Sequence, residues 1–347
     1  MAEPEGEIKN ASEPEARPDE PAPRAPVAPA GQEPLTPGPR FAIERHQPNA
    51  TLEKLQLVWR VLLYLFLMLA VAPRAVISVA AEILGRQRVA LSPDFLLFLE
   101  ALNFALLLGL TVLLSLMERT PWSSYGLPWK QAFRANFWVG LLLGLAEASV
   151  LIGLIELLGG YSLQGWALGG AAIFRWGLLH FLLFVLVGLY EEFLFRGYPQ
   201  AALSKLLGFW PAAIALSVGF GLVHKSNQGE TWVGVSSVMV VGLLFAFTLK
   251  RTGNLWYAVG LHAGFDWAQS FVYSVPDSGE LVRGHLWNAS LHGPDWLTGG
   301  TVGPEGSVFC FLTMGLQFLV VMSLFPAAAA GAAEHQAPPS EPPTVET

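Results

Sequence analysis

The sequence predicts an all-α membrane protein, a polytopic bundle of about eight transmembrane helices with disordered N- and C-terminal tails. Hydrophobic residues make up 53% of the 347 residues and charged residues only 14%, whereas charged residues are roughly a quarter of a soluble globular protein. The mean hydropathy is +0.46. The apolar residues are concentrated in windows long enough to cross a bilayer, and polar, Pro-rich segments flank them.

The two tails have no hydrophobic periodicity. Residues 1–50 are rich in Pro, Glu and Ala, and residues 328–347 have a similar composition. Such segments cannot bury enough apolar surface to offset the entropy of ordering, so we expect both to be disordered. The N-terminal tail is also too acidic, and too long before the first apolar run, for a cleaved signal peptide. We therefore predict a transmembrane domain at 51–327 between two disordered tails.

Windows of roughly 17–25 apolar residues, the length that crosses about 30 Å of hydrocarbon, predict the individual spans. Pro73 in the first window predicts a kink, and the window at 208–225 is the shortest. Lys and Arg flank the spans mostly on one side, which predicts that both termini are cytoplasmic. The predicted spans lie near 56–80, 93–117, 136–158, 171–198, 208–225, 231–250, 255–274 and 307–326.

Three groups of polar residues interrupt the apolar spans between 171 and 274. A charged group in hydrocarbon costs several kcal/mol, so adjacent carboxylates at that depth indicate a functional site. Residues four apart on a helix share a face, which pairs Glu192 with Arg196, Phe220 with His224, and His262 with Asp266. The groups are Glu191-Glu192-Phe193-Leu194-Phe195-Arg196, Phe220-Gly221-Leu222-Val223-His224 and His262-Ala263-Gly264-Phe265-Asp266.

The two adjacent glutamates point in different directions, because successive helical residues are about 100° apart. We expect Arg196 to neutralise Glu192, while Glu191 faces a cavity with His224 and His262. One base, two histidines and a carboxylate on three spans form the set that a water-activating hydrolase requires. Taken singly, these residues are as typical of structural roles as of a catalytic site. Glu192 and Arg196 could form an ordinary ion pair at a helix end, and His262 and Asp266 could form an interhelical hydrogen bond.

The order EExxxR, FxxxH and HxxxD across successive spans resembles the CPBP family of intramembrane proteases. This family is also called the ABI or CAAX-protease family and includes the Ras-converting-enzyme type. The approach to the last motif, LKRTGNLWYAVGLHAGFDWAQ, is also similar to the family. The resemblance covers roughly residues 171–275, which we therefore predict to be the catalytic core. It implies an intramembrane endopeptidase that hydrolyses a peptide bond of a membrane-associated protein or peptide.

The resemblance also implies roles for the catalytic residues. Glu191 would deprotonate the attacking water with the help of His224, while His262 and Asp266 would stabilise the oxyanion or hold the other groups in place. Asp266 stands where many relatives carry Asn. An ionised Asp only accepts hydrogen bonds, so we expect Asp266 to orient His262.

Structural support of the site is the role that the resemblance implies for Glu192 and Arg196, and we expect Phe220 to share it. A cofactor is not expected, because the resemblance implies water activation by a glutamate without metal, and the sequence lacks the HExxH spacing of soluble zinc proteases. Zinc is the alternative, since a glutamate and two histidines are a familiar catalytic set of zinc ligands. The ligands would then be Glu191, His224 and His262.

We expect the lipid bilayer and a membrane-associated protein or peptide substrate as partners, and no basic patch indicates nucleic acid. The Pro/Ala-rich tail favours a bacterial inner membrane. The alternative function is a nonenzymatic membrane protein of the same fold, a scaffold or a transporter-like protein. A transporter would more naturally show paired repeats with broken helices at matching positions, and the sequence does not.

A simple up-and-down order of spans raises a difficulty, because it places Glu191 and His224 near opposite faces of the membrane. Either the helix of Glu191 continues past Arg196, or the short span at 208–225 does not cross fully. Other candidates are assigned structural roles: packing for His180 and Cys310. For the loop at 276–306, an interfacial role is favoured over that of a lid or substrate-contacting segment.

Overall fold

The computed structural model describes residues 50–84 and 92–326. The tails predicted to be disordered lie outside the described residues, except that Ala50 begins the first helix. Within the described residues the chain is mostly helical. In chain order its α-helices are α1 (Ala50–Phe66), α2 (Ala72–Leu84), α3 (Pro93–Glu118), α4 (Ala135–Leu157), α5 (Ala171–Arg196), α6 (Tyr198–Leu207), α7 (Phe209–His224), α8 (Trp232–Thr252), α9 (Trp256–Trp267), α10 (Asp295–Thr298) and α11 (Phe309–Leu324).

Five helical segments are long and apolar enough to cross a membrane, by length and composition, and they fit a multi-pass membrane protein. All eight predicted spans fall on helices. However, α7 and α11 have 16 residues each, and α9 has 12 before a π-helical turn at Ala268–Val272. The predicted count of eight spans is therefore not confirmed. The five long segments are Thr51–Glu82, Pro93–Glu118, Ala135–Leu157, Ala171–Leu207 and Trp232–Thr252.

Helices α4 and α9 pack closely through glycines. Gly140 and Gly144 on α4 face Gly260 and Gly264 on α9, and a Cβ atom on any of the four would collide with a backbone carbonyl of the other helix. Two G-x-x-x-G patterns thus let the helix backbones meet, as small residues do at interfaces of membrane helices. This contact holds α9, and with it His262, against the rest of the bundle.

The helix that carries Glu191 ends at Arg196, but the apolar segment to which it belongs extends further. A break at Gly197 separates α5 from α6, and the two together form the apolar segment Ala171–Leu207. Glu191 therefore lies well inside this segment rather than at its end. With Glu191 inside this segment and α7 only 16 residues long, Glu191 and His224 come together.

A two-stranded antiparallel sheet departs from the all-α prediction. Strand β1 (Tyr161–Trp166) pairs with β2 (Trp287–Leu291). The rings of Trp166 and Trp287 lie 3.8 Å apart. The pairing joins residues more than a hundred positions apart in the chain, so no local pattern indicated it. It fastens the segment after α9, which the sequence predicted to be a loop.

Two residues assigned packing roles are buried. His180 packs against Phe184 and Phe271, and its Nδ1 lies 2.9 Å from the carbonyl oxygen of Trp176. Cys310 is buried among apolar side chains of a second core cluster and also lines the central cavity described below.

Candidate active site

A cavity of ≈ 310 Å³ lies among the helices and the segment that follows α9. Much of its lining is apolar, with Leu, Val, Phe and Met side chains from α3, α5, α8, α9 and α11. His224 and His262 also line it, whereas no Lys or Arg of the described residues does. Seven carboxylates complete the lining: Glu100, Glu147, Glu191, Asp266, Asp277, Glu280 and Glu305.

Glu191 lies between the two histidines. Its Oε2 is 3.8 Å from Nε2 of His262 and 4.0 Å from Nε2 of His224. The Glu191 side chain is 26% exposed, and those of the histidines are 12–13% exposed. The three groups therefore share the cavity, and their separations exceed the usual hydrogen-bond length of about 2.7–3.2 Å.

The ring of His224 is fixed by its own helix. Nδ1 lies 2.8 Å from the carbonyl oxygen of Phe220, and the two rings meet edge to face with centroids 4.6 Å apart. A carbonyl oxygen only accepts, so Nδ1 donates this hydrogen bond. In the neutral ring, Nε2 then presents a lone pair towards Glu191.

His262 is bound by carboxylates at both ring nitrogens. Nδ1 lies 3.2 Å from Oε1 of Glu192, and Nε2 lies 3.2 Å from Oδ2 of Asp266. The ring also stacks on Phe245 with centroids 5.2 Å apart. Asp266 is thus in position to orient His262, and Glu192 holds the ring from the other side, a contact that the sequence did not predict.

Glu192 and Arg196 form a buried ion pair. Arg196 Nη1 lies 3.4 Å from Glu192 Oε1, and the two side chains are 1% and 0% exposed. The guanidinium lies 4.4 Å from the centroid of the Phe220 ring. Phe220 therefore contacts both the cation of this pair and the ring of His224, and neither residue of the pair lines the cavity.

The zinc alternative does not fit the arrangement of the described residues. No group of three or more His, Cys, Asp or Glu residues among them is placed to hold a metal ion. Both ring nitrogens of His262 already face carboxylates, and Nε2 of His224 lies 4.0 Å from Glu191. We therefore derive no chemical step through zinc.

Five carboxylates that line the cavity were not predicted as site residues from the sequence. Glu100 on α3 and Glu147 on α4 lie in spans whose polar residues were not singled out, although a lone carboxylate in an apolar window is itself a signal. Asp277, Glu280 and Glu305 belong to the segment predicted to be an interfacial loop. They place part of that segment in the cavity wall.

Asp277 and Glu305 interact closely. Burial, and then the neighbouring carboxylates Asp266 and Glu305, raise the pKa of Asp277 well above its ordinary value. Burial, and then Asp266 and Glu230, raise the pKa of Glu305 to about 7. Both carboxyl groups therefore favour the protonated form, because burial and nearby like charges disfavour the ionised one.

Residues 173–268 match a family model described as type II CAAX prenyl endopeptidase Rce1-like. The resemblance drawn from the three motifs is therefore confirmed, and all of those motifs lie within the matched residues. No curated protein and no solved structure matches the chain.

Proposed function

We propose that this protein, whose central segment is Rce1-like, is an intramembrane endopeptidase that hydrolyses a peptide bond of a membrane-associated protein or peptide. The family match suggests CAAX-type protease activity. One observation carries the proposal: the Glu191 carboxylate faces Nε2 of both His224 and His262 on the wall of the cavity. This is the arrangement of a base with assisting groups around a reactive water.

The separations suit a water molecule. A water placed beside the line between Glu191 Oε2 and His224 Nε2 lies at about 2.8 Å from both atoms, a normal hydrogen-bond distance. The lone pair on His224 Nε2 accepts a hydrogen bond from this water, while Glu191 accepts the other proton. Such a water is oriented with an oxygen lone pair free to attack a carbonyl carbon.

The reaction proceeds in two steps. Glu191 removes a proton from the water as the oxygen bonds to the carbonyl carbon, which gives a tetrahedral oxyanion. Glu191 then returns the proton to the leaving nitrogen as the C–N bond breaks. His262, with a carboxylate at each ring nitrogen, is held as an imidazolium whose charge stabilises the oxyanion. Glu192 and Arg196 hold His262 in place.

We also propose a setting for this activity. The Lys and Arg bias supports cytoplasmic termini, and the Pro/Ala-rich tail supports a bacterial inner membrane that the chain crosses several times. Fusions of a cytoplasm-specific and a periplasm-specific reporter to each terminus test this orientation. Periplasmic activity of either fusion would contradict it.

The test of function is cleavage of a membrane-peptide library by the protein purified in detergent. We compare wild type with Glu191→Gln, and each with and without a chelator. The matched control is Glu156→Gln, which removes an exposed acid of the described chain outside the cavity. We expect cleavage to persist in Glu156→Gln and in the presence of the chelator, and to be lost in Glu191→Gln. This result would support a glutamate-based peptidase.

The other outcomes have definite meanings. Loss of activity with the chelator would show that a metal is required. Full activity of Glu191→Gln would remove Glu191 from the mechanism. Absence of cleavage across the library would contradict the enzymatic proposal and favour the nonenzymatic scaffold or transporter-like protein.

A further inference from the structure

The guanidinium of Arg196 is held among aromatic rings. The Arg196 side chain is almost fully buried, and its Nη1 contacts Oε1 of Glu192. A cation is attracted to the faces of aromatic rings, and burial strengthens this attraction. From Cζ of Arg196, the ring centroids lie at 5.7 Å for Phe195 on α5, 4.4 Å for Phe220 on α7 and 5.5 Å for Phe245 on α8.

Two of these rings also contact the histidines of the active site. Phe220 meets the ring of His224 edge to face, and Phe245 stacks on the ring of His262. Glu192, the ion-pair partner of the arginine, contacts His262 as well. A displacement of the guanidinium would therefore reach both histidines, one through Phe220 and the other through Phe245 and Glu192.

The space for the guanidinium comes from a glycine on α8. A Cβ atom on Gly242 would lie 2.6 Å from Nη2 of Arg196, and 3.0 and 3.1 Å from Cβ and Oγ of Ser217 on α7. Gly242 is buried within α8 and its φ is not positive, so the backbone conformation does not require a glycine. Alanine favours a helix more than glycine does. The room that it leaves for Arg196 therefore explains this glycine.

A methyl group at position 242 would displace Arg196 rather than α8. An approach of 2.6 Å is far inside van der Waals contact, so one of the two groups has to move. Nη2 is the far end of a flexible side chain, which moves at lower cost than a helix backbone. Because a close-packed interior transmits strain, the shift passes to the rings and the carboxylate around the guanidinium. The fold then survives while the geometry of the histidines changes.

We infer that Gly242 is a positioning residue of the active site: it leaves the space in which Arg196 holds Glu192 and the two rings that contact the histidines. Gly242 acts through Arg196 and touches no reacting group. This inference rests on the proposed function and adds to it a position, outside the three motifs, on which the placement of both histidines depends.

The first test is the change Gly242→Ala in the protein purified in detergent, with a cleaved library peptide as substrate. We expect kcat to fall about 10- to 100-fold, as small misplacements of catalytic groups do. KM should be unchanged, because Gly242 does not line the cavity. The matched control is Gly109→Ala on an exposed face of α3, where a Cβ atom meets nothing within 4 Å. This control should keep the wild-type kcat.

A second comparison shows whether the effect passes through Arg196. Arg196→Lys keeps a cation beside Glu192 and removes the branched end that the methyl group meets. In this background, adding Gly242→Ala should change kcat by about twofold or less. A loss of packing at α8 that did not involve Arg196 would instead lower kcat equally in both backgrounds.

The histidine rings provide a readout that does not need cleavage. In protein labelled with 15N at histidine, the ring resonances of His224 and His262 are assigned by their loss in His224→Gln and His262→Gln. At a fixed pH, Gly242→Ala should shift both resonances, whereas Gly109→Ala should shift neither. The ring of His292, which contacts Ser162 outside the cavity, should keep its resonance in both variants.

Failure of the inference is distinguishable from failure of the proposed function. Wild-type kcat in Gly242→Ala, or an equal fall in both Arg196 backgrounds, would overturn the inference and leave the peptidase in place. If no peptide is cleaved, or if Arg196→Lys has no measurable activity, the ring resonances decide. A shift of both His224 and His262 supports positioning by Gly242, and an unchanged resonance of either one would overturn it.

Discussion

Two groups of carboxylates at the cavity differ in their charged neighbours. On the helix wall, which we define as Glu191 and Asp266 of the cavity lining together with Glu192, every carboxylate has an imidazole or a guanidinium within 4.0 Å. On the acidic wall, which consists of Asp277, Glu280 and Glu305 in the segment after α9, no carboxylate has such a partner among the described residues. Glu100 and Glu147 of the lining belong to neither group. Each carboxylate of the helix wall therefore has a basic group beside it in the free protein, whereas the acidic wall is neutralised by protons.

This difference predicts opposite responses to the removal of charge. Neutralising one charged side chain of the helix wall leaves the opposite charge of its partner buried without compensation. Neutralising a carboxylate of the acidic wall removes repulsion between like charges. Stability should therefore fall in the first case and hold or rise in the second.

The largest effect is expected for Arg196→Met. This change leaves Glu192 fully buried without its guanidinium, and breaking a buried ion pair costs about 3–5 kcal/mol of the free energy of unfolding. Denaturant unfolding in detergent measures it. In the double variant Glu192→Gln/Arg196→Met no charge is stranded, so part of the loss should return. Wild-type stability of the single variant would show that the pair does not support the helix wall.

Much of the helix wall could be predicted because its contacts are local. Glu192 and Arg196, like His262 and Asp266, are four residues apart on one helix, so spacing alone brings them together. The contact between Glu192 and His262 was missed because it joins helices 70 residues apart. The glycines at 260 and 264 carry a signal for the close approach of α9 to another helix.

The acidic wall could not be predicted for a physical reason. Ser278 and Glu305 are 27 residues apart in a segment without periodicity, and their contact depends on a turn that only the fold creates. The span count is not confirmed for a related reason. Helices such as α7, with 16 residues, are held among other helices, so they need not have the length that a full crossing requires. The helical positions themselves could be predicted from apolar windows.

A smaller effect is expected for Asp266→Asn on the helix wall. The amide oxygen of Asn still accepts the hydrogen bond from His262 Nε2, so the ring stays oriented. The neutral bond is about 1 kcal/mol weaker than the charged one, and kcat should fall by about fivefold with KM unchanged. Steady-state kinetics on the cleaved peptide measures both values.

The control for that change is Asp266→Ala, which removes the acceptor and should lower kcat further. Equal loss in the two variants would show that the charge of Asp266 is required, and not only its ability to orient His262.

On the acidic wall, Asp277→Asn should stabilise the protein. The amide keeps the shape of the side chain and its contact with Gln269, while the repulsion from Glu305 and Asp266 disappears. We expect a gain of about 1 kcal/mol in the free energy of unfolding at pH 8, within the range seen when buried charges are replaced by neutral groups. A loss as large as that of Arg196→Met would contradict the difference between the two walls.

The smallest effect is a pH dependence that belongs to the acidic wall. The pKa of Glu305 in the folded protein is about 7, above the ordinary value of 4.5. Between these values the folded state holds a proton that the unfolded state has released, so stability falls as the pH rises from 4.5 to 7. Glu305→Gln removes this titration and should make the fall in Tm over that range shallower, whereas Glu156→Gln should follow wild type. Thermal unfolding in detergent at a series of pH values separates these cases. Parallel wild-type and Glu305→Gln curves would mean that the pKa of Glu305 is not raised in the folded protein, which would contradict the crowding of charge on the acidic wall.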